Sequence, residues 1–160
     1  MITGAEGGCD CGKVRYRFKA EPIVVTCCHC HKCQRQTGSA YAVNILIEPD
    51  NLEILGETPV AWNLESGSGH GQKNMRCPHC MVSVWSVYNM AGDGVYFIRG
   101  GTLDDPGKVE PNMHIFTDSK LPWVEIPESV EQFPQFYAGK DIKRVFGEEN
   151  AARFKVACGR

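Results

Sequence analysis

The chain lacks the features that would direct it to a membrane or a nucleic acid. No apolar stretch approaches the roughly 18 residues of a helical span, and residues 1–8 contain neither a basic segment nor an apolar one. The expectation is a cytoplasmic protein with no membrane partner. Formal net charge is −2 over 160 residues, which gives no general attraction to a phosphate backbone, so no nucleic-acid partner is expected. Familiar catalytic motifs are missing too. The sequence has no H-E-x-x-H pair, no H-x-E of the nucleobase deaminases, no P-loop, no dinucleotide fingerprint and no G-x-S-x-G elbow. A long helical period is absent from the first 120 residues.

Short alternating segments take its place. From Lys13 to Lys19 basic residues alternate with Val14, Tyr16 and Phe18, the period of a half-buried strand with its charges in water rather than of a nucleic-acid patch. Further strands are predicted at Ile23–Thr26, Tyr41–Ile47, Leu52–Leu55, Pro59–Asn63, Gln72–Arg76, Met81–Tyr88, Val95–Arg99 and Met113–Thr117. The segment Glu65–Gly71 reads as a flexible loop. Past Leu121-Pro122-Trp123 the chain turns Pro-rich and irregular, with a short helix predicted near Glu148–Lys155. The fold class is therefore mainly β. A chain of this length suits one domain with a real core: a zinc-binding β domain over 1–125, with 126–160 an extension packed on it.

What the sequence has in abundance is cysteine, nine in all. In a reducing compartment, clustered cysteines are metal ligands or redox centres more often than structural disulfides, and an odd count fits a disulfide framework badly. Tetrahedral zinc with bonds near 2.3 Å needs its sulfurs roughly 3.8 Å apart, a spacing that C-x-x-C in a tight turn supplies. Cys77-Pro78-His79-Cys80 has this form, and Cys9-Asp10-Cys11-Gly12 is a second pair. Two pairs distant in sequence are the usual makings of a closed four-cysteine site. The competing reading of Cys77–Cys80 is a thioredoxin-like redox motif, but that chemistry needs a helix after the first cysteine, and an alternating strand follows here.

A third cluster, Cys27-Cys28-His29-Cys30-His31-Lys32-Cys33, is denser. If Cys28, Cys30 and Cys33 share one metal, only Cys27 and Cys158 remain as further thiols, and three protein ligands with an open position resemble a catalytic zinc. Three thiolates on Zn²⁺ leave a net charge of −1. Such a centre is a weak Lewis acid, better suited to capturing a soft thiol than to activating water. Spacing alone leaves the alternative standing, a second structural zinc completed by His29, His31 or Cys27. His29 and His31 read equally as exposed loop residues, His114 as a packed or hydrogen-bonded histidine, Cys27 as a small buried apolar residue. His70 and Cys158 carry no signal.

Taken together, the order C-x-C, C-H-C-x-x-C, C-x-x-C resembles the glutathione-dependent formaldehyde-activating enzyme family, whose domain is shared with centromere protein V. Gln36-Thr37-Gly38-Ser39, Gly101-Thr102-Leu103-Asp104-Asp105-Pro106, Pro111 to Ile115 and Trp123 extend the likeness over residues 5 to 125. The resemblance implies a tent-like fold of antiparallel β-sheets pinned by zinc. It implies two Zn²⁺ per chain: a structural ion on Cys9, Cys11, Cys77 and Cys80, and an exchangeable-site ion on catalytic Cys28, Cys30 and Cys33. It also implies carbon–sulfur lyase activity like that of S-(hydroxymethyl)glutathione synthase, with a small glutathione-like thiol and an aldehyde such as formaldehyde as partners. No glutathione-contacting residue can be matched. Met81 departs from the glycine that members often carry after the second knuckle cysteine, so the turn must be made differently or the strand begins at once. The reading from a different class is a non-enzymatic zinc scaffold or thiol carrier.

Overall fold

A computed structural model describes residues 1–159. In chain order the strands are β1 (Glu6–Gly8), β2 (Arg15–Phe18), β3 (Val24–Cys28), β4 (Ala42–Ile47), β5 (Leu52–Ile54), β6 (Val60–Leu64), β7 (Gln72–Arg76), β8 (Ser83–Tyr88), β9 (Tyr96–Arg99), β10 (Met113–Ile115) and β11 (Glu131–Phe133). Helix α1 (His31–Thr37) follows β3, while α2 (Ile142–Phe146) and α3 (Glu148–Ala157) end the chain. The protein is mainly β. Strands β1, β2 and β5 form a small sheet, and the other eight run in the order β11-β10-β3-β4-β9-β8-β7-β6. Among the described residues no helix is long and apolar enough to cross a membrane.

The predicted strands are all present, most trimmed at their ends, β7 as predicted, and β3 and β6 running on to Cys28 and Leu64; the alternation in β2 is realised in full. Tyr16 and Phe18 are completely buried. On the opposite face Arg15 pairs with Asp104 at 2.5 Å and Arg17 pairs with Glu6 at 2.6 Å and Glu53 at 3.1 Å. The basic run is thus neutralised by carboxylates, each exposed pair contributing little to stability. Pairing is antiparallel except on both sides of β10, which lies parallel to β3 and to β11. A parallel pair is joined through a distant crossover rather than a turn, so no local signal announces it. The tail is also less irregular than its composition indicates: β11, α2 and α3 are built from it.

The eight-stranded sheet has a core on each face, because successive side chains of a strand point to opposite sides. One face places Val25, Ile45 and Ile98 against Val14, Tyr16, Phe18 and Leu52 of the small-sheet side. The other places Cys28, Leu46, Phe97, Met113 and Ile115 against Tyr137, Phe146 and Ala151 of the C-terminal segment. Strand β3 lies in the middle and is buried along its whole length, which explains its unbroken apolar run Ile23-Val24-Val25.

Helix α3 is fastened to the body by Arg153. Its guanidinium reaches both carboxylate oxygens of Glu48 at 2.7 and 2.8 Å and the Glu21 carbonyl at 3.0 Å. Burial alone would raise the Glu48 pKa, but the hydrogen bonds from Arg153, from its own backbone amide and from Asn51 together outweigh it and hold the carboxyl below its ordinary value. A depressed carboxylate stabilises the fold above its unfolded pKa and loses that contribution as pH falls through the folded one. Arg153→Ala is expected to cost about 1–2 kcal/mol near neutral pH. The difference from the unaltered protein should shrink toward zero as pH drops below the Glu48 range, as denaturant titrations at pH 7 and pH 3 would measure.

Candidate metal centres

The two distant cysteine pairs meet. Sγ of Cys9 lies 3.5 Å from that of Cys11, which lies 3.6 Å from Sγ of Cys77, and all four sulfurs of Cys9, Cys11, Cys77 and Cys80 fall within 4.8 Å of one another. These separations are close to those of a tetrahedral zinc site. Backbone amides point at the sulfurs as well: Val14 N–H at Cys9 (3.3 Å) and His79 N–H at Cys77 (3.4 Å). The amides of Cys11 and Val82 hold the Cys80 thiol down at about 6. The Lys13 amide draws the Cys11 thiol down, but burial and sharing with Cys9, Cys77 and Cys80 outweigh it and push that thiol up to about 12, a competition that a bound cation would relieve. The four cysteines could hold a metal ion.

Residue 81 resolves how this turn is made. Met81 takes a left-handed backbone, φ 62°, and its N–H bonds to the Cys77 carbonyl at 3.0 Å. The turn is therefore the one a glycine would make, accomplished by a residue with a Cβ, and the strand does not begin at once: β8 starts at Ser83.

Cys28, Cys30 and Cys33 form the second group, again within 4.8 Å of one another. Cys28 ends β3, and Cys30 caps α1, its sulfur accepting the Cys33 N–H at 3.4 Å. The C-x-x-C spacing thus folds one helical turn around a single point. Gly38, at φ 64°, stops the helix after seven residues, too short to show as a helical period in the sequence. All three sulfurs are buried. Hydrogen bonds from Cys28 and Cys33 hold the Cys30 thiol down to about 2, while the Cys28 thiol is driven far up by sharing with Cys30 and Cys33. One of the three ionises at the expense of its neighbour, so the group carries more acidity than it can express without a cation. This trio too could hold a metal ion.

Neither neighbouring histidine completes it. His31 is exposed. His29, read as an exposed loop residue, is fully buried and lies on the opposite side of the sheet, as the alternation of Cys27, Cys28 and His29 demands. There its Nε2 is 2.8 Å from Nδ1 of His114 and 3.7 Å from Sγ of Cys27. Burial, then the charges of His114 and Lys120, push the His29 pKa down to about 4. The Cys27, His29 and His114 donors also lie within 4.8 Å. Two imidazole nitrogens on one tetrahedral zinc sit roughly 3.3 Å apart, and 2.8 Å is a hydrogen-bond length, so this pair is placed to share a proton. His114 is the hydrogen-bonded histidine expected, and Cys27 is buried beside it.

Two parts of this site were invisible to sequence reasoning. Arg99, 6% exposed, bonds Asn44 at 2.6 Å, Ser86 at 2.9 Å and Gln36 at 3.0 Å. The hydrogen bond with Cys28 and the charge of Arg99 draw the Cys33 thiol down, but sharing with Cys30 and burial outweigh them and push it up to about 11. The only signal was a cation ending the apolar strand Tyr96-Phe97-Ile98-Arg99. Residues Glu65–Gly71, read as a flexible loop, form a wall: Gly67 packs on Cys30, where an added Cβ would come within 3.3 Å of Sγ, and Glu65 pairs with Lys32. A cavity of about 240 Å³ opens in front of the three cysteines.

If the four-cysteine group is a folding site, Cys80→Ser removes a contribution on the order of 10 kcal/mol; insoluble protein, or soluble protein with one zinc fewer by elemental analysis, is the expected outcome. Normal folding with undiminished zinc would refute it. Met81→Gly, relieving a left-handed conformation, is expected to stabilise the loaded protein by about 1 kcal/mol in denaturant titration.

The sequence model described as glutathione-dependent formaldehyde-activating enzyme matches residues 4–119. A Halomonas elongata protein, provisionally named a glutathione-dependent formaldehyde-activating enzyme, is 26% identical over 132 residues, covering 79% of this chain and 83% of the relative. A solved Rhodobacter sphaeroides structure aligns over 80% of this chain and 98% of its own, with a TM-score of 0.47 and 14% identity. The family match takes in both cysteine groups and spans well over half of the sequence, and the chain belongs to the glutathione-dependent formaldehyde-activating enzyme family.

Proposed function

We propose that the protein joins a thiol to an aldehyde, or releases the aldehyde in reverse, at the site formed by Cys28, Cys30 and Cys33. The chemistry is of carbon–sulfur lyase type, and glutathione and formaldehyde are the substrates that the family name supplies. The observation that carries this reading is the contrast between the two groups. Four sulfurs close one of them, whereas three sulfurs at the wall of a cavity leave the other without a fourth donor.

In this reading Cys9, Cys11, Cys77 and Cys80 hold a structural zinc and Cys28, Cys30 and Cys33 hold an exchangeable one. Cys28, Cys30 and Cys33 would hold the ion, and a zinc bound by three thiolates would supply affinity for a soft thiol in its thiolate form at neutral pH. The chain's own residues do the rest. The buried Arg99 supplies one positive charge beside a group whose net charge with zinc is −1, limiting the cost of burying it. Gly67 and the C-terminal segment close over the cysteines and reduce access of water. The reaction R–SH + R′–CHO → R–S–CH(OH)–R′ balances without a redox partner. The C–S bond forms, the carbonyl π pair moves to oxygen, and the proton given up by sulfur ends on that oxygen. Residues 126–160 are part of this machinery, an extension packed on the same domain.

Substitution at Cys28 separates the two centres. Cys28→Ser is expected to keep the fold, lower zinc content from two per chain to one, and weaken thiol binding at least tenfold, read from the spectrum of Co²⁺-substituted protein titrated with thiol. Retention of two zincs with unaltered thiol binding would sink the assignment. Thiol binding without any thiol-dependent turnover would leave the protein as a thiol carrier.

A further inference from the structure

The cavity in front of Cys28, Cys30 and Cys33 has a composition that a charged tripeptide does not explain. Among the described residues Lys32 is the single charged one on its wall, and it is paired with Glu65. The remaining described lining residues are uncharged, and half of them are aromatic or aliphatic. Tyr88, Phe97 and Ile115 come from the sheet, while Phe136, Tyr137 and Phe154 come from beyond residue 119, where the family match ends. The two contributions meet at the rim, where the Phe116 and Phe136 rings lie 6.3 Å apart and Phe136 stacks on Tyr137 at 4.2 Å. Among the polar lining residues, Asn44 accepts a hydrogen bond from Arg99, and Gln72 donates to the Glu65 carbonyl at 3.0 Å. The buried Gln72 Oε1 is the one polar atom of these left without a partner, an acceptor for a single neutral donor.

Glutathione carries two carboxylates and an ammonium group at neutral pH. Moving unpaired charges into such a wall is prohibitive, and the described lining residues offer no pair of cations to receive the carboxylates. We infer that this chain's site takes a thiol with an uncharged, apolar substituent in preference to glutathione, the substituent lying in the cavity that the C-terminal segment completes. The inference rests on the thiol-binding reading above and names the substrate class of the same site. Its physical basis is that a substituent on a sulfur held beside the three cysteines must enter the cavity they line, and that each methylene buried there strengthens binding about fourfold.

The test uses full-length Co²⁺-substituted protein titrated with ethanethiol, butanethiol, hexanethiol and glutathione, reading the cobalt spectrum. These alkanethiols share nearly the same acidity, so the trend along the series reports the cavity rather than the sulfur. The expected result is a gain of at least threefold per methylene, with glutathione at least tenfold weaker than butanethiol. Phe136→Arg should shift the butanethiol-to-glutathione affinity ratio toward glutathione by tenfold or more, a change of selectivity that general loss of structure would not produce. A flat series, or glutathione binding as tightly as butanethiol, overturns the inference and leaves the thiol-binding reading intact. No spectral response to any of the four thiols overturns both.

Discussion

Sulfur atoms gathered this closely raise a charge problem that dominates the structure. Four converge at one end of the small sheet and three at the end of β3, each group within 4.8 Å. As thiols they compete for protons, which is why Cys30 is held so low while Cys28 is driven up. A cation relieves the competition, and the backbone is already arranged for it, with amides of Val14, His79 and Cys33 directed at sulfur. Closing the four-sulfur group ties the start of the chain to the β7–β8 connection. The small sheet lays its own Tyr16 and Phe18 against Val25, Ile45 and Ile98 of the large sheet.

The three-sulfur group depends on β3. Because side chains alternate across a strand, Cys27 and Cys28 face opposite cores although they are neighbours in sequence. Cys28 joins Cys30 and Cys33 in front of the cavity, whereas Cys27 sits with the His29–His114 pair behind the sheet. The strand therefore separates two chemical environments by its own thickness. On the cavity side Arg99 places a buried positive charge near the three cysteine sulfurs. The C-terminal segment then supplies Tyr137, Phe146 and Ala151 to the apolar cluster, held in place by Arg153 on Glu48.

Much of this was legible from residue pattern. The alternation Lys13–Lys19 gave β2 and its buried ring pair, and the three cysteine spacings gave both groups and the separation between them. The same pattern concealed α1, whose seven residues complete barely two turns, and β11, where flanking prolines hide a strand of three residues. Met81 showed the limit of residue identity as a guide to backbone. A glycine-type turn survives there without glycine, because the hydrogen bond to Cys77 and the cysteine geometry hold φ positive.

By itself the sequence determined which atoms can bind metal and which segments are strands, because ligand type, spacing and two-residue periodicity are local properties. Only the tertiary structure decided which face each cysteine occupies, that His29 turns away from the trio, and that Arg99 lies beneath it. It alone placed Phe136, Tyr137 and Phe154 opposite Cys28. Those outcomes depend on the parallel pairing of β10 with β3 and on where residues 126–159 return across the sheet. Contacts between segments so far apart are selected by the burial of whole surfaces, and no short stretch of sequence carries that information.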